Sequence, residues 1–469
     1  MTTPLGTRVH ELAGLRPHAP AVSCGTRSMS WAELDRSTNV LAREMAARGV
    51  RQGSFVTVAL PNGVDFVRAC VAVWKLGAVP QPVSWRLPRA ELAEIVRLAE
   101  SPLVLGGGAV PIEELDLADH PDGPLPQAVS PSWKAPTSGG STGRPKLIVS
   151  GTPGVVDGWA SRFWRCGGGD VLLMPGPLYH NGPFTSAFAG FFEGAHLVVM
   201  ERFDPLGTLE EVERWRASWL YLVPTMMNRI WRHPDRLKPD VSSLRTVWHL
   251  AAPCPAWLKE AWIGWLGGER IWELYGGTEG IATTVINGLE WMEHRGSVGR
   301  PVHGEIAVFG PEGDRLPPGP IGEVYLRRAA GTPPTYRYIG AEARALDGWE
   351  SLGDMGRLDA DGYLYLADRR PDMILVAGSN VYPAEVEAAL EEHPGVLSCV
   401  VIGLPDDDLG QRVHAIVEGA ATEAELRAYL EERLVRYKTP RTYEFVDHPL
   451  RDDAGKVRRS QLIAERTRS

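Results

Sequence analysis

Apolar and polar positions change period several times along this chain, and each change marks an element. Ser30-Trp31-Ala32-Glu33 reads as a capping box, opening a helix with Leu34, Leu41 and Met45 on one side and Gly49 at its end. Phe55 to Leu60 reads as a strand and Phe66 to Leu76 as a helix, the alternation that βαβ units require. Short apolar runs follow at Val171 to Met174, His196 to Met200, Trp219 to Leu222, Thr246 to Leu250 and Ile271 to Leu274. Helical or turn-rich stretches separate them, which predicts a largely parallel, layered sheet. From about residue 296 the texture becomes Gly- and Pro-rich with alternating strands such as Gly322 to Leu326, predicting an antiparallel or barrel-like subdomain. A boundary is expected near 370, after the turn Asp359-Ala360-Asp361-Gly362 and the segment Arg369-Arg370-Pro371-Asp372. The remainder predicts a helix at Pro383 to Glu392, strands at 396–402 and 412–417, a helix at 423–435 and a strand at 443–446. That is enough for a small α+β domain. The expected fold class is α/β, with a large N-terminal domain over 1–370 and a small C-terminal domain over 371–469.

Bulk properties narrow the function. At 469 residues the chain exceeds what one core supports, so two or more domains are expected. A formal charge of −9 without a dense Lys/Arg run argues against a nucleic-acid partner. Cys24, Cys70, Cys166, Cys254 and Cys399 contain no C-x-x-C pair, so buried thiols are expected rather than a disulfide framework or zinc cluster. The N-terminus lacks a basic region followed by an apolar core, which makes a cytoplasmic location the expectation. Phe184 to Met200 is interrupted by Glu193 and His196 and falls short of a membrane span. Sixteen tryptophans suit a large core, and the same residues could line a pocket for a bulky apolar ligand. No internal repeat is apparent, and composition leaves monomer and dimer open.

The chemistry concentrates first in Thr137-Ser138-Gly139-Gly140-Ser141-Thr142-Gly143-Arg144-Pro145-Lys146. Glycines let backbone N–H groups approach anionic oxygens, hydroxyls add donors, and the lysine offsets charge, a combination suited to polyphosphate. A surface turn has the same composition. A Walker A loop is excluded, because Arg144 and Pro145 separate Gly143 from the lysine and Leu147-Ile148-Val149 read as a strand. Glu279, in Leu274-Tyr275-Gly276-Gly277-Thr278-Glu279, is a hard oxygen ligand that suits Mg²⁺ shared with phosphate oxygens.

These segments resemble the adenylate-forming superfamily of acyl-CoA synthetases, nonribosomal adenylation domains and luciferases, in the family's order over 137–459. Leu60-Pro61-Asn62 and Gly77-Ala78-Val79-Pro80 extend the likeness toward the N-terminus. Ser351-Leu352-Gly353-Asp354-Met355-Gly356 resembles its Gly-Asp segment, and Arg369, Asp372, Ile374, Gly378, Asn380, Pro383 and Glu385 match its interdomain signature. Tyr437-Lys438-Thr439-Pro440-Arg441 and Gly455-Lys456-Val457-Arg458-Arg459 resemble its two lysine-bearing segments. Pro177-Leu178-Tyr179-His180-Asn181-Gly182 and Asn380 to Glu387 give it the flavour of the acid-CoA ligases.

The resemblance implies an ATP- and Mg²⁺-dependent ligase that joins a carboxylic acid to coenzyme A through an acyl-adenylate, releasing AMP and pyrophosphate. ATP would be held by Thr137, Ser138, Gly139, Gly140, Ser141, Thr142, Gly143, Lys146, Ala252, Pro253, Tyr275, Gly276, Thr278, Asp354 and Arg369. Lys456 would be the adenylation catalyst and Glu279 the metal ligand, with His180 shaping or gating the acid pocket or, as the lesser alternative, acting as a base. Asn181, Ala251, Cys254, Trp272 and Gly277 would complete that pocket, for an acid expected to be aromatic or polycyclic. Coenzyme A would meet Gly378, Ser379, Arg436, Tyr437 and Lys438 once the mobile small domain swings about a hinge at Arg370 and Pro371. The chain departs from the family at Gly139, at Ala377 and at Pro371, where proline restrains the pivot. Either one half-reaction is then slow or handed to a partner enzyme, or rotation proceeds through ψ and neighbouring bonds. Other readings are an enzyme that performs one half-reaction or loads an acyl-carrier protein, and a non-catalytic nucleotide-binding protein on the same scaffold.

Overall fold

Parallel pairing organises the N-terminal domain. The computed structural model describes residues 2–467 except 113–114, 116–119, 140–144, 370–371, 378, 407 and 453–454, and excepting the side chains of 138, 139 and 369. In the middle of a nine-stranded sheet, His196–Val199, Val171–Met174, Trp219–Leu222, Thr246–Leu250 and Ile271–Gly276 lie side by side in parallel. These are the five predicted apolar runs. In the first four nearly every residue is buried, on both faces, which is why they read as continuous hydrophobic stretches; Ile271–Gly276, nearer the edge, alternates buried with half-buried positions. Pro20–Cys24 and Arg27–Ser30 extend one edge, Thr283–Asn287 and Arg300–His303 the other.

A second, three-stranded parallel sheet of Val79–Pro82, Phe55–Ala59 and Leu103–Gly106 packs with the helices Trp31–Ala47 and Val64–Lys75. The capping box is present: Glu33 N–H donates to the Ser30 hydroxyl at 3.3 Å and Ser30 N–H to the Glu33 carboxylate at 2.8 Å. Beyond 300, Glu305–Phe309, Gly322–Arg327, Trp349–Leu358, Arg344–Leu346 and Leu364–Arg369 form the expected antiparallel sheet.

The C-terminal domain has its own apolar core, in which Val381, Val386, Leu390, Val401 and Leu426 are fully buried. It contains the predicted helix Pro383–Glu391 and the strands Val396–Asp406, Gly410–Gly419 and Thr442–Val446. Most boundaries shift by one or two residues, and two differ by more. The helix predicted over 423–435 stops at Glu431, because Leu430 is its last core residue and Val435 is exposed. The strand predicted over 396–402 runs on to Asp406, because ladder pairing with Gly410–Gly419 continues where the apolar run has ended. Four cysteines are buried as expected, whereas Cys254 is half-exposed because it sits in a turn.

One buried carboxylate fixes the end of this domain. Glu387 accepts from Arg459 Nη2 at 2.6 Å, Arg451 Nη2 at 2.9 Å and the Val401 N–H at 2.8 Å, thereby gripping both flanks of the segment that carries Lys456. Burial pushes its carboxyl up, but the Arg459 and Arg451 guanidiniums outweigh that and hold it below the ordinary 4.5. The clamp therefore contributes fully above that pH and is lost as pH falls through the depressed value. Glu387→Gln leaves two guanidiniums short of their counter-charge and should cost about 3–5 kcal/mol, read by chemical unfolding at neutral pH. The difference from the parent protein should shrink on acidification.

Candidate active site

Two paired strands flank the segment expected to bind phosphate. Thr137–Gly139 pairs antiparallel with Pro145–Ser150, placing Ser138 opposite Lys146, and a strand follows rather than the helix a Walker A loop requires. The predicted binding residues Gly140, Ser141, Thr142 and Gly143 lie outside the described residues. At the start of the first strand the Thr137 hydroxyl accepts from Gln81 Nε2 at 3.2 Å, and Thr57 fixes Gln81 by donating to its Oε1 at 2.6 Å. On the second strand Lys146 lies over the Tyr338 ring, 3.8 Å from the centroid, and 3.9 Å from Glu279 Oε1. The Tyr338 hydroxyl donates to that same oxygen at 2.5 Å. Burial and the Glu279 charge push the Tyr338 phenol far up, so it remains a donor. Sequence reasoning missed Tyr338, a tyrosine in an alternating strand with no motif to mark it.

Tyr275 and Gly276 end the strand Ile271–Gly276, and the Tyr275 hydroxyl donates to Asp354 Oδ2 at 2.8 Å. Asp354 is the register partner of Arg369 on the neighbouring antiparallel strand. Two candidate ribose contacts separated in sequence are therefore adjacent. Next in chain, Gly277 is hemmed in: a Cβ there would stand 2.4 Å from Leu352 Cδ1 and 2.6 Å from Glu279 Oε2. Gly277 thus borders the carboxylate, and Thr278 lies between them in the turn. Among the described residues no group of three or more His, Cys, Asp or Glu side chains is placed to hold a metal. One buried carboxylate fits an ion that takes most of its ligands from phosphate and water.

Trp272, expected in the acid pocket, stands on one face of the large sheet. Tyr221, Trp248 and Trp272 are register partners on three adjacent parallel strands, so their rings share that face. Trp272 lies 5.7 Å from Trp248, Phe163 stacks at 6.1 Å on Trp248, and Trp159, half exposed, stacks at 5.1 Å on Phe163. Tyr221, beside Trp248 in register, reaches the helix Asn181–Phe191. There Gly182 leaves room for Tyr221, whose hydroxyl oxygen would stand 2.6 Å from any Cβ at that position. Asn62 holds the segment leading into this helix, accepting from Leu178 N–H at 2.8 Å and donating to the Gly176 carbonyl at 2.9 Å. The neighbouring turn Ala251-Ala252-Pro253-Cys254-Pro255 starts with Ala251 at φ +77°, a left-handed conformation that costs energy in a residue with a Cβ.

His180 precedes that helix. Burial, with the Lys456 charge adding to it, pulls its imidazole down to about 3. Its chain neighbour Asn181 meets Lys134, which sequence reasoning also missed because a lone lysine three residues ahead of Thr137 has no spacing signature. Its ammonium is buried and donates to Asn181 Oδ1 and, at 2.8 Å, to Thr185 Oγ1. Burial draws it down to about 7 against the pull of Glu279.

From the small domain, Lys456 sits on a tight turn where its N–H donates to Asp452 Oδ1 at 2.9 Å. Its charge adds to the lowering of the His180 imidazole. The other candidate lysine is elsewhere: Lys438 Nζ meets both Glu385 oxygens at 2.7 Å, beside the exposed Tyr437 and near Arg436. Ser379 begins the strand Ser379–Val381, while Gly378, Arg370 and Pro371 lie outside the described residues, as does the Arg369 side chain.

Residues 9–336 match the family model described as AMP-binding enzyme, and residues 385–456 match that of the AMP-binding enzyme C-terminal domain. The chain belongs to the AMP-binding, adenylate-forming enzymes. Within this family it is 32% identical to a feruloyl-CoA synthase of Amycolatopsis sp, covering 98% of both chains. It is 31% identical to the fatty acid–[acyl-carrier-protein] ligase ScoC of Streptomyces coeruleorubidus, over 95% of this chain and 93% of the other. Its fold matches the o-succinylbenzoate CoA synthetase of Bacillus subtilis, solved in complex with the acyl-adenylate intermediate OSB-AMP, at TM-score 0.82 and 25% identity over 98% of each chain. No helix among the described residues is long and apolar enough to cross a membrane.

The electrostatics of this adenylate-forming site can be read directly. In an NMR titration His180 should stay neutral from about pH 8 down to about pH 5, where an ordinary imidazole would have protonated. Lys456→Ala removes a positive neighbour and should move the His180 titration upward.

Proposed function

We propose that this protein is an ATP-dependent acid-CoA ligase that activates an aromatic or polycyclic carboxylic acid. The observation that carries the proposal is the seating of the Lys456 turn, through Gly455, against Thr225 of the large domain, while Lys146 and Glu279 stand together on the side expected to take the phosphates. In the first step the acid's carboxylate oxygen attacks the α-phosphorus of ATP and the bond to the β-phosphate oxygen breaks, giving acyl-AMP and pyrophosphate. Two anions must meet, so the residues act by position and charge. Lys146 faces the leaving pyrophosphate with the 138–144 loop. Asp354 and Arg369 hold the ribose, and Tyr275 flanks the adenine beside Ala252 and Pro253. Lys456 neutralises charge where the new bond forms. Mg²⁺ held by Glu279 would offset the phosphate charge.

In the second step the thiolate sulfur of coenzyme A attacks the acyl carbon and AMP departs with its phosphate oxygen. The small domain, bounded near 370–372, presents Gly378, Ser379 and the 436–438 segment to the thiol arm. His180, held neutral, shapes the pocket rather than abstracting a proton. The aromatic row of Trp159, Phe163, Trp248 and Trp272 favours a flat, apolar acid entering toward Tyr221 and Gly182. A carrier-protein thiol is the second reading for the acceptor, supported by the likeness to ScoC.

Lys456→Ala should lower acid-dependent ATP–pyrophosphate exchange by about a hundredfold while thioester formation from supplied acyl-adenylate is largely kept. ADP as product, or exchange that survives the substitution, would overturn the assignment. Gly277→Ala displaces Glu279 or Leu352 and should lower the same exchange by about tenfold to a hundredfold, because small misplacements of catalytic groups are costly.

A further inference from the structure

The helix Pro224–Arg232 leaves the sheet directly after Trp219–Leu222 and turns one face to the small domain. Residues 225, 228 and 232 are spaced by three and four, so they share that face. At its start Gly455, the neighbour of Lys456, closes on Thr225; a Cβ on Gly455 would stand 2.6 Å from the Thr225 hydroxyl oxygen. One turn on, Asn228 Nδ2 donates to the Leu397 carbonyl at 3.1 Å, and Asn228 Oδ1 accepts from Arg232 Nε at 2.8 Å. At the far end Arg232 donates to the Pro394 carbonyl at 3.0 Å and the Glu391 carbonyl at 2.7 Å. The latter carbonyl ends the helix Pro383–Glu391, where the macrodipole is negative and a cation is favoured. The indole of Trp257 lies 5.4 Å from the same guanidinium.

We infer that Thr225, Asn228 and Arg232 form a docking stripe that seats the small domain so that Lys456 reaches the acid side, with Arg232 as the principal positioning residue. The inference rests on the ligase reading above. Its physical basis is lever-like: Arg232 and Asn228 hold the backbone at 391–397, Thr225 abuts the lysine turn, and the Glu387 clamp makes those parts one rigid piece. Loss of Arg232 leaves three points of contact reduced to two and lets Lys456 drift by a distance that charge neutralisation does not tolerate. Because thiolysis of a supplied adenylate does not use Lys456, only the first half-reaction should suffer.

The test compares Arg232→Ala, Lys456→Ala and the double substitution by pyrophosphate exchange and by thioester formation from synthetic acyl-adenylate. Arg232→Ala should lower exchange by about tenfold, the scale of losing charge-assisted hydrogen bonds, and leave thiolysis within about twofold. In the Lys456→Ala background it should have no further effect, because it acts through that lysine. If Lys456→Ala lowers exchange and Arg232→Ala does not, or if the two effects add, the docking stripe is refuted while the ligase reading stands. If Lys456→Ala itself leaves exchange intact, the ligase reading fails first. Should Arg232→Ala not fold, Arg232→Lys retains the charge but cannot span the separate carbonyls. Equal loss in both half-reactions of that variant would mark a merely structural role and refute the proposal.

Discussion

Parallel strands all end at the same edge, and everything else in this protein is arranged around that fact. The segment after Val171–Met174 leads to His180, and Trp219–Leu222 leads to the helix that meets the small domain. Thr246–Leu250 opens the Ala251 turn, and Ile271–Gly276 opens the turn to Glu279. Four loops far apart in sequence are thereby delivered to one place, the common location for ligands in open α/β sheets. The paired strands Thr137–Gly139 and Pro145–Ser150, the antiparallel sheet bearing Asp354 and the turn bearing Lys456 close around them.

The charges gathered there are unbalanced. Lys134 and Lys146 both feel the buried carboxylate of Glu279, and Lys456 adds its charge beside His180, although the chain as a whole carries −9. Such an arrangement is costly for the folded protein, since burial penalises a cation, and Lys134 shows that cost in its lowered basicity. The cost is recovered when polyphosphate and carboxylate arrive, because interactions between fixed cations and anions strengthen as water leaves. A site that must bring two anions into contact needs this asymmetry. His180, placed among cations and buried, has no reason to carry a proton.

Much of this was legible in the residues. Four of the five apolar runs identify central strands because strands buried on both faces have no polar side to disguise them. The capping box at Ser30 is visible because its chemistry is local. Glu279, Asp354, Arg369 and Lys456 stand out by family order. By contrast, Lys134, Tyr338 and Arg232 make contacts with residues between 47 and 162 positions away, and no spacing along the chain encodes them.

The sequence by itself determined the family, the succession of elements, and which side chains are able to neutralise charge, because those follow from local propensity and from residue type. Only the tertiary structure decided which lysines serve which side. It set Lys438 against Glu385 on the small domain's own helix and seated the turn of Lys456 against Thr225 of the large domain. It also set Asp354 beside Arg369 through strand register and aligned Tyr221, Trp248 and Trp272 on one face. Register, domain docking and burial are properties of chains packed against one another, and they fix both distance and dielectric.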